Sequence, residues 1–299
     1  MIVPHGDPFV PFDREPAGAA PVRALAPIPD EWVPQASHAA RLRVGARNLD
    51  AATWVSPVDA DWPATLAMKR SLVAERPAEV VACLAGAEEA CDEVAAGVLA
   101  SIGEAPTEEH GIDALVDTAL RVADDLCILQ DGDDGVPRLT AAVLCSPNRW
   151  RLTEKIGGTM ATIHSPVARY DSDLDSPVNA MLARLAPARP VWRINWGITN
   201  HPALFQPDTP PQTPAMDPAD MWLRVEWQTL RRLPVTGAVL FGIRTHVQTL
   251  RAFVATRPRP LVEDFADLVL KIPEDVAVYK SIAPYRETVY SYLMANAGR

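Results

Sequence analysis

From residue 1 to about 60, apolar positions follow no regular period and are interspersed with Pro, Gly and Asp. That pattern predicts an extended arm laid over the body of the fold. Phe9, Phe12, Trp32, Val33 and Trp54 make the segment too apolar for a solvated tail. From Asp61 to about Asp124, apolar residues recur every three or four positions, which predicts a helical block with Asp61 as its cap and Pro63 near a helix start. The period then changes. DLCILQD (125–131) and LTAAVLCS (139–146) are short apolar runs joined by GDDGVPR, the signature of an antiparallel hairpin. Three more strands are predicted at PVWRINWGI (190–198), MWLRVEWQTLRRL (221–233) and GAVLFGIRTHV (237–247), the last two joined tightly by Pro-Val-Thr-Gly. In the middle one of these, Trp222, Arg224, Glu226 and Gln228 fall on one face, and Leu223, Val225, Trp227 and Thr229 on the other. A helical insert spans about 148–188, and helical spacing returns from about Gln248, broken at Pro258, Pro260 and Pro273. The expected class is α+β: five antiparallel strands with helices on the N- and C-terminal sides, residues 61–299 forming one domain and residues 1–60 the arm.

Composition narrows the function classes. A 299-residue chain with 48% hydrophobic content can bury a sizeable core, and its formal net charge of -10 opposes general affinity for nucleic acid or anionic lipid. No run approaches the roughly 20 apolar residues of a membrane span, and the first residues lack a basic head followed by an apolar run, so a cytoplasmic protein is expected. Cys83, Cys91, Cys127 and Cys145 are widely spaced and form no CxxC pair, which predicts buried free thiols and neither a zinc site nor a disulfide framework.

Candidate chemistry concentrates in two stretches. In CSPNRWRLTEKIGGTMATIHSPVARY (145–170), Lys155 and His164 follow a strand end, and Ser165-Pro166 stops the chain continuing as a helix, which fixes the imidazole. A fixed neutral imidazole suits a haem iron, and equally suits a capping or core histidine bonded to backbone. In LRVEWQTLRRLPVTGAVLFGIRT (223–245), Arg224, Glu226 and Gln228 form either a solvated polar edge or one wall of a pocket in which Glu226 faces a cationic amine. Arg193 lies between Trp192 and Trp196, either as a pocket cation or stacked on tryptophan at the sheet surface. His201 and His246 are rival ligands. There is no GxGxxG after a strand, P-loop, GxSxG or HExxH.

Taken in order, CSPxxW, EKxG, IHSPV, PVWRxNW and LRVExQTLRRLPxTxAVLFxIRT resemble the haem-dependent oxidative N-demethylase family, from roughly Asp50 through YKSIAPYRETVYSYL. Ala168 stands where the family pattern has proline, and Trp227 where it has a charged residue. The resemblance implies a PAS-like sheet holding b-type haem, with electrons arriving from NADPH through FMN and iron-sulfur partner subunits. It also implies oxygen-dependent demethylation of a small secondary amine such as dimethylamine, giving a primary amine and formaldehyde. By motif position, His164 is the implied axial ligand and Arg193 and Glu226 line the substrate side. Lys155 and Arg224 pair with haem propionates or support the pocket. The alternative from another class is a haem-based PAS-type sensor or a haem-binding protein without turnover.

Overall fold

Alternating apolar residues and a Gly-Asp turn make β3 (Asp125–Asp131) and β4 (Pro137–Val143) an antiparallel hairpin, with Gly135 taking the left-handed φ of +71° that the turn needs. β5 (Val191–Thr199), β6 (Trp222–Arg232) and β7 (Val239–Thr249) pair antiparallel in sequence order, and β7 pairs with β3. The computed structural model describes residues 28–36, 45–167, 169–208 and 216–298. Phe9, Phe12 and Ala168 lie outside them.

The sheet has seven strands, not five, because β1 (Arg47–Asn48) adds to β5 and β2 (Val81–Cys83) adds to β4. Two or three residues are too few for a period of two to register in the sequence. Val80 and Val81 also run on from the helical spacing before them, so the second edge strand is hidden there. The order is β1-β5-β6-β7-β3-β4-β2.

Two helical layers cover one face. α1 (Trp62–Glu75), α3 (Glu88–Ser101) and α4 (Gly111–Ala119), with the short α2 (Pro77–Val80), bury Leu72, Val94, Val98 and Leu115 against Leu126, Ile128, Val143 and Leu240. Asp61 holds the N-cap position of α1 without a side-chain capping bond. α8 (Leu250–Thr256), α9 (Arg259–Lys271) and α11 (Arg286–Asn296) pack Phe253, Phe265, Val289 and Leu293 beneath Leu223, Val225 and Trp227. Pro258 and Pro273 stand immediately before α9 and α10 (Glu274–Tyr279), where a missing N–H costs nothing. Ile28, Trp32 and Val33 join this layer, Trp32 stacking on Trp227 at 5.4 Å.

The insert covers the other face. α5 (Leu152–Lys155), α6 (Met160–His164), a π-helical turn at Tyr170–Leu174 and α7 (Asp175–Arg184) lay Leu152, Met160, Leu174, Val178 and Leu182 on Cys127, Leu129, Ala142, Leu230 and Ile243. All four cysteines are free thiols, with Cys83 half-buried and the others buried. Among the described residues no helix is long and apolar enough to cross a membrane.

A buried ionic network ties the helical block to the sheet. Lys69 Nζ on α1 donates to the carbonyls of Val122 and Asp124 and lies 3.8 Å from Asp125 Oδ1, with both side chains fully buried. Asp125 in turn accepts the Ser146 N–H, and Asp124 accepts from Ser56. Burial pushes both carboxyls upward against the pull of Lys69. Truncating Lys69 strands a buried carboxylate and two carbonyls. We expect Lys69→Ala to lose about 3–5 kcal/mol in urea unfolding, and a loss under ~1 kcal/mol, the range of an exposed pair, would show that the network is not structural.

Candidate functional site

The antiparallel register of β5 and β6 sets Arg193 opposite Gln228, Asn195 opposite Glu226 and Gly197 opposite Arg224. Directly opposed residues share a face, so all of these look toward the insert. The apolar cover from the insert reaches Leu230 and Ile243, and beyond it the same face is polar. At Gly197 a Cβ would meet nothing within 4 Å, so open space lies in front of Arg224 on this face.

Glu226 is 5% exposed and held from three sides. Asn195 Nδ2 and Gln228 Nε2 both donate to Oε2, at 3.1 and 2.9 Å, and Arg224 Nε stands 3.5 Å from Oε1. Arg224, 1% exposed, spends its remaining donors on carbonyls of Ser146 and Pro147 after β4, and of Ala203 and Leu204 after β5. Those bonds bring the two loops together and orient the guanidinium edge that faces Glu226.

Two further cations, Arg193 and Lys280, feel this carboxylate, and Arg149 lies beside Arg224. Arg193 feels the charge of Glu226, yet among the described residues it donates no hydrogen bond and joins no ion pair, and its Nε is buried without a partner. Arg149 donates through Nη1 to the Lys280 carbonyl. Lys280, just after α10, donates to Asn195 Oδ1 and to the Trp196 carbonyl and lies 4.9 Å over the Trp196 ring. Burial pushes its ammonium down to about 8; Glu226 opposes the shift, while Arg193 and Arg149 add to it. Sequence reading missed Arg149, Asn195 and Lys280. The YKSIAPY segment that carries Lys280 entered only as a stretch of resemblance.

The three histidines separate by face and tautomer. His164, at the end of α6, engages the Met160 carbonyl through Nδ1 at 2.9 Å and stacks on Tyr170 at 4.7 Å. The carbonyl is an acceptor, so Nδ1 carries the proton. Nε2 keeps its lone pair, with no hydrogen-bond partner among the described residues. Burial holds the ring neutral, Arg193 and Lys155 acting in the same direction against the Met160 bond. Lys155 Nζ donates to the Thr162 carbonyl. His201 Nδ1 accepts the Ala203 N–H at 3.2 Å, which places its neutral-ring proton on Nε2 and leaves no free lone pair. His246 pairs in register with Val225 and so lies on the opposite face from Glu226. There it is buried beside Arg244 and Asp59 and against the Trp32 ring.

A cleft of about 640 Å³ opens on that opposite face between Trp32, Trp62, Trp192 and Trp227. It contains none of the residues expected from the sequence to act, and its rim charges Glu104 and Arg121 face each other at 3.9 Å. Among the described residues no group of three His, Cys, Asp or Glu side chains could hold a metal ion by itself.

The depressed Lys280 ammonium makes a stability prediction. Between about pH 8 and the ordinary lysine value near ~10.4, the unfolded chain holds the proton and the folded chain does not. Stability contributed by this group therefore rises with pH across that window. Urea unfolding at pH 7.5 to 10 should show wild type gaining on Lys280→Met as pH rises, and a constant difference would contradict the shift.

The neutral imidazole with a free Nε2, the open face and the buried and half-buried cations form a set suited to an iron porphyrin and its carboxylates. Residues 100–290, more than half of the chain, match the family model described as haem-dependent oxidative N-demethylase, alpha subunit-like. That description names haem, an oxidative demethylation and a subunit of a larger assembly. With the site and the match falling in the same residues, the chain belongs to the haem-dependent oxidative N-demethylase, alpha subunit-like, family.

Proposed function

We propose that this chain is the haem-binding subunit of an oxidative N-demethylase acting on a small secondary amine, dimethylamine being the simplest. The observation that carries the reading is His164, a neutral imidazole on the site side of the sheet whose Nδ1 is committed to the Met160 carbonyl and whose Nε2 is free. A second-shell acceptor that fixes the tautomer is the usual condition for an imidazole ligand. The strand order β4-β3-β7-β6-β5, with the helical insert between the second and third of these in chain order, supports the PAS-like description of the core.

The proposed cofactor is b-type haem, which His164 would hold through its free Nε2 and for which Lys155, across the corner between α5 and α6, would supply a cation to a propionate. Bound haem supplies the oxygen activation and the electron exchange that protein side chains cannot provide. The overall balance consumes the N-methyl amine, O2, two electrons and two protons, and yields the demethylated amine, formaldehyde and water. The electrons come from separate reductase subunits carrying FMN and an iron-sulfur cluster and using NADPH. No dinucleotide-binding motif was found in this sequence.

The protein's own groups then divide the work. Glu226, fixed through Oε2 by Asn195 and Gln228, keeps a lone pair on Oε1 with which to accept the amine proton. Arg224 acts as a positioning residue, because its donors hold the loop carbonyls and orient Glu226. Arg193 presents its unused donors to the substrate side.

The test is the visible spectrum of haem-reconstituted protein. Wild type should give an intense histidine-type Soret band, and His164→Ala should shift or abolish it; an unchanged spectrum in the variant overturns the ligand assignment. In the second arm, Glu226→Gln should keep its haem content and lose turnover by about 10²-fold or more, since proton transfer by a positioned side chain contributes that much. Full activity in that variant removes Glu226 from the mechanism.

A further inference from the structure

The charges on the site face do not balance. Arg193, Arg224 and Lys280 each feel one carboxylate, Glu226, and Arg149 adds positive charge beside Arg224 and Lys280. The next acid, Asp125, reaches Arg224 weakly and is opposed by Lys69 at 3.8 Å. Three cations therefore share one anion, with Arg149 beside them, although the chain as a whole carries a formal charge of -10. Glu226 offers an entering ammonium only its Oε1 side, because Asn195 and Gln228 occupy Oε2 and Arg224 stands 3.5 Å from Oε1, so a second anchor on the substrate strengthens its hold.

The other cations of this cluster have acceptors within the protein. Arg224 is bound to loop carbonyls, Arg149 reaches the Lys280 carbonyl, and Lys280 reaches Asn195 and the Trp196 carbonyl. Among the described residues Arg193 is the cation of this cluster that donates no hydrogen bond, and its Nε is buried without a partner. A half-buried guanidinium with its donors unused is a site for a planar anion, and a carboxylate matches it with two parallel N–H···O bonds. Asn195, two residues along the same face, lies between Arg193 and Gly197, so a group bound at Arg193 sits beside Glu226 and the open space at Gly197.

We propose that the amine demethylated at this site carries a carboxylate, as an N-methylated amino acid does, and that Arg193 binds that carboxylate while Glu226 faces the nitrogen. This inference rests on the N-demethylation reading and narrows its substrate class. The carboxylate neutralises part of the cationic surplus and fixes one end of the molecule, leaving the N-methyl end to be placed by the length of the amino acid. A haem propionate offers Arg193 the same chemistry, so the two sources have to be separated by experiment.

Calorimetric titration of the full chain, haem-free and haem-loaded, with N-methylglycine, its methyl ester and dimethylamine separates them. The ester keeps the amine and removes the negative charge. N-methylglycine should bind at least about tenfold tighter than either of the others in both forms, as a charge-assisted bidentate pair provides. Arg193→Met should erase the difference. Arg193→Gln keeps a polar side chain and guards against a folding failure of the first variant; it should erase most of it. Equal affinities for the three compounds overturn the proposal. So does an advantage confined to the haem-free protein, with haem shed by Arg193→Met, because Arg193 would then belong to a propionate. The haem reading fails separately, through an unchanged Soret band in His164→Ala.

Discussion

Burying the Arg224 guanidinium at 1% exposure is costly unless every donor finds an acceptor, and that requirement organises the site. The acceptors come from two loops that are distant in sequence, through Ser146 and Pro147 on one side and Ala203 and Leu204 on the other. Meeting the demand closes those loops over the end of β6. Closure places Arg149 where its N–H reaches the Gln206 carbonyl and its guanidinium reaches the Lys280 carbonyl, which docks the segment after α10 onto β5. Glu226 is oriented by the guanidinium edge that remains. One buried charge thus links both loops and the C-terminal segment to a single carboxylate.

Strand alternation converts this local order into a separation of functions. On β6 the odd positions Leu223, Val225 and Trp227 are buried against helices, and the even positions Arg224, Glu226 and Gln228 form the polar face. His246, two strand positions from Arg244 on β7, falls with Val225 and is sealed beneath Trp32. A register slip of one residue would exchange the two sets, so the apolar packing of Trp227 and Phe265 also fixes which acid faces the open side.

The five long strands were legible in the sequence, since their apolar alternation is sustained over seven residues or more. Arg224, Glu226 and Gln228 could be placed on one face by period, and His164 singled out by the turn after it, whereas the register that sets Arg193 opposite Gln228 came from the structure. The two edge strands were not legible, because Arg47–Asn48 and Val81–Cys83 are defined by their partners and not by a pattern of their own. Lys280 and Arg149 were missed for the same reason, their roles arising from contacts spanning 85 and 131 residues. The different surroundings of the His164, His201 and His246 rings, each set by its own partners, are supplied by no spacing rule. The pairing of the arm residue Trp32 with Trp227 is likewise a long-range fact.

Backbone strain marks the same place. Among the described residues, those other than glycine with positive φ are Arg149 at 62°, Arg169 at 56° and Ser281 at 54°. The first bears a site cation, the second lies between His164 and Tyr170, and the third follows Lys280. Such conformations cost on the order of 1–3 kcal/mol each and persist only where surrounding contacts over-determine them. Here those contacts are the Arg149 bonds to Gln206 and Lys280, the Arg169 pair with Asp275 and the Ser281 bond to the Val278 carbonyl. Strain and uncompensated positive charge therefore lie together on one face, and the burial of apolar residues on the other face offsets both. A fold arranged in this way fixes the position of its cations through protein contacts alone, Arg224 on loop carbonyls, Arg149 on the Lys280 carbonyl and Lys280 on Asn195.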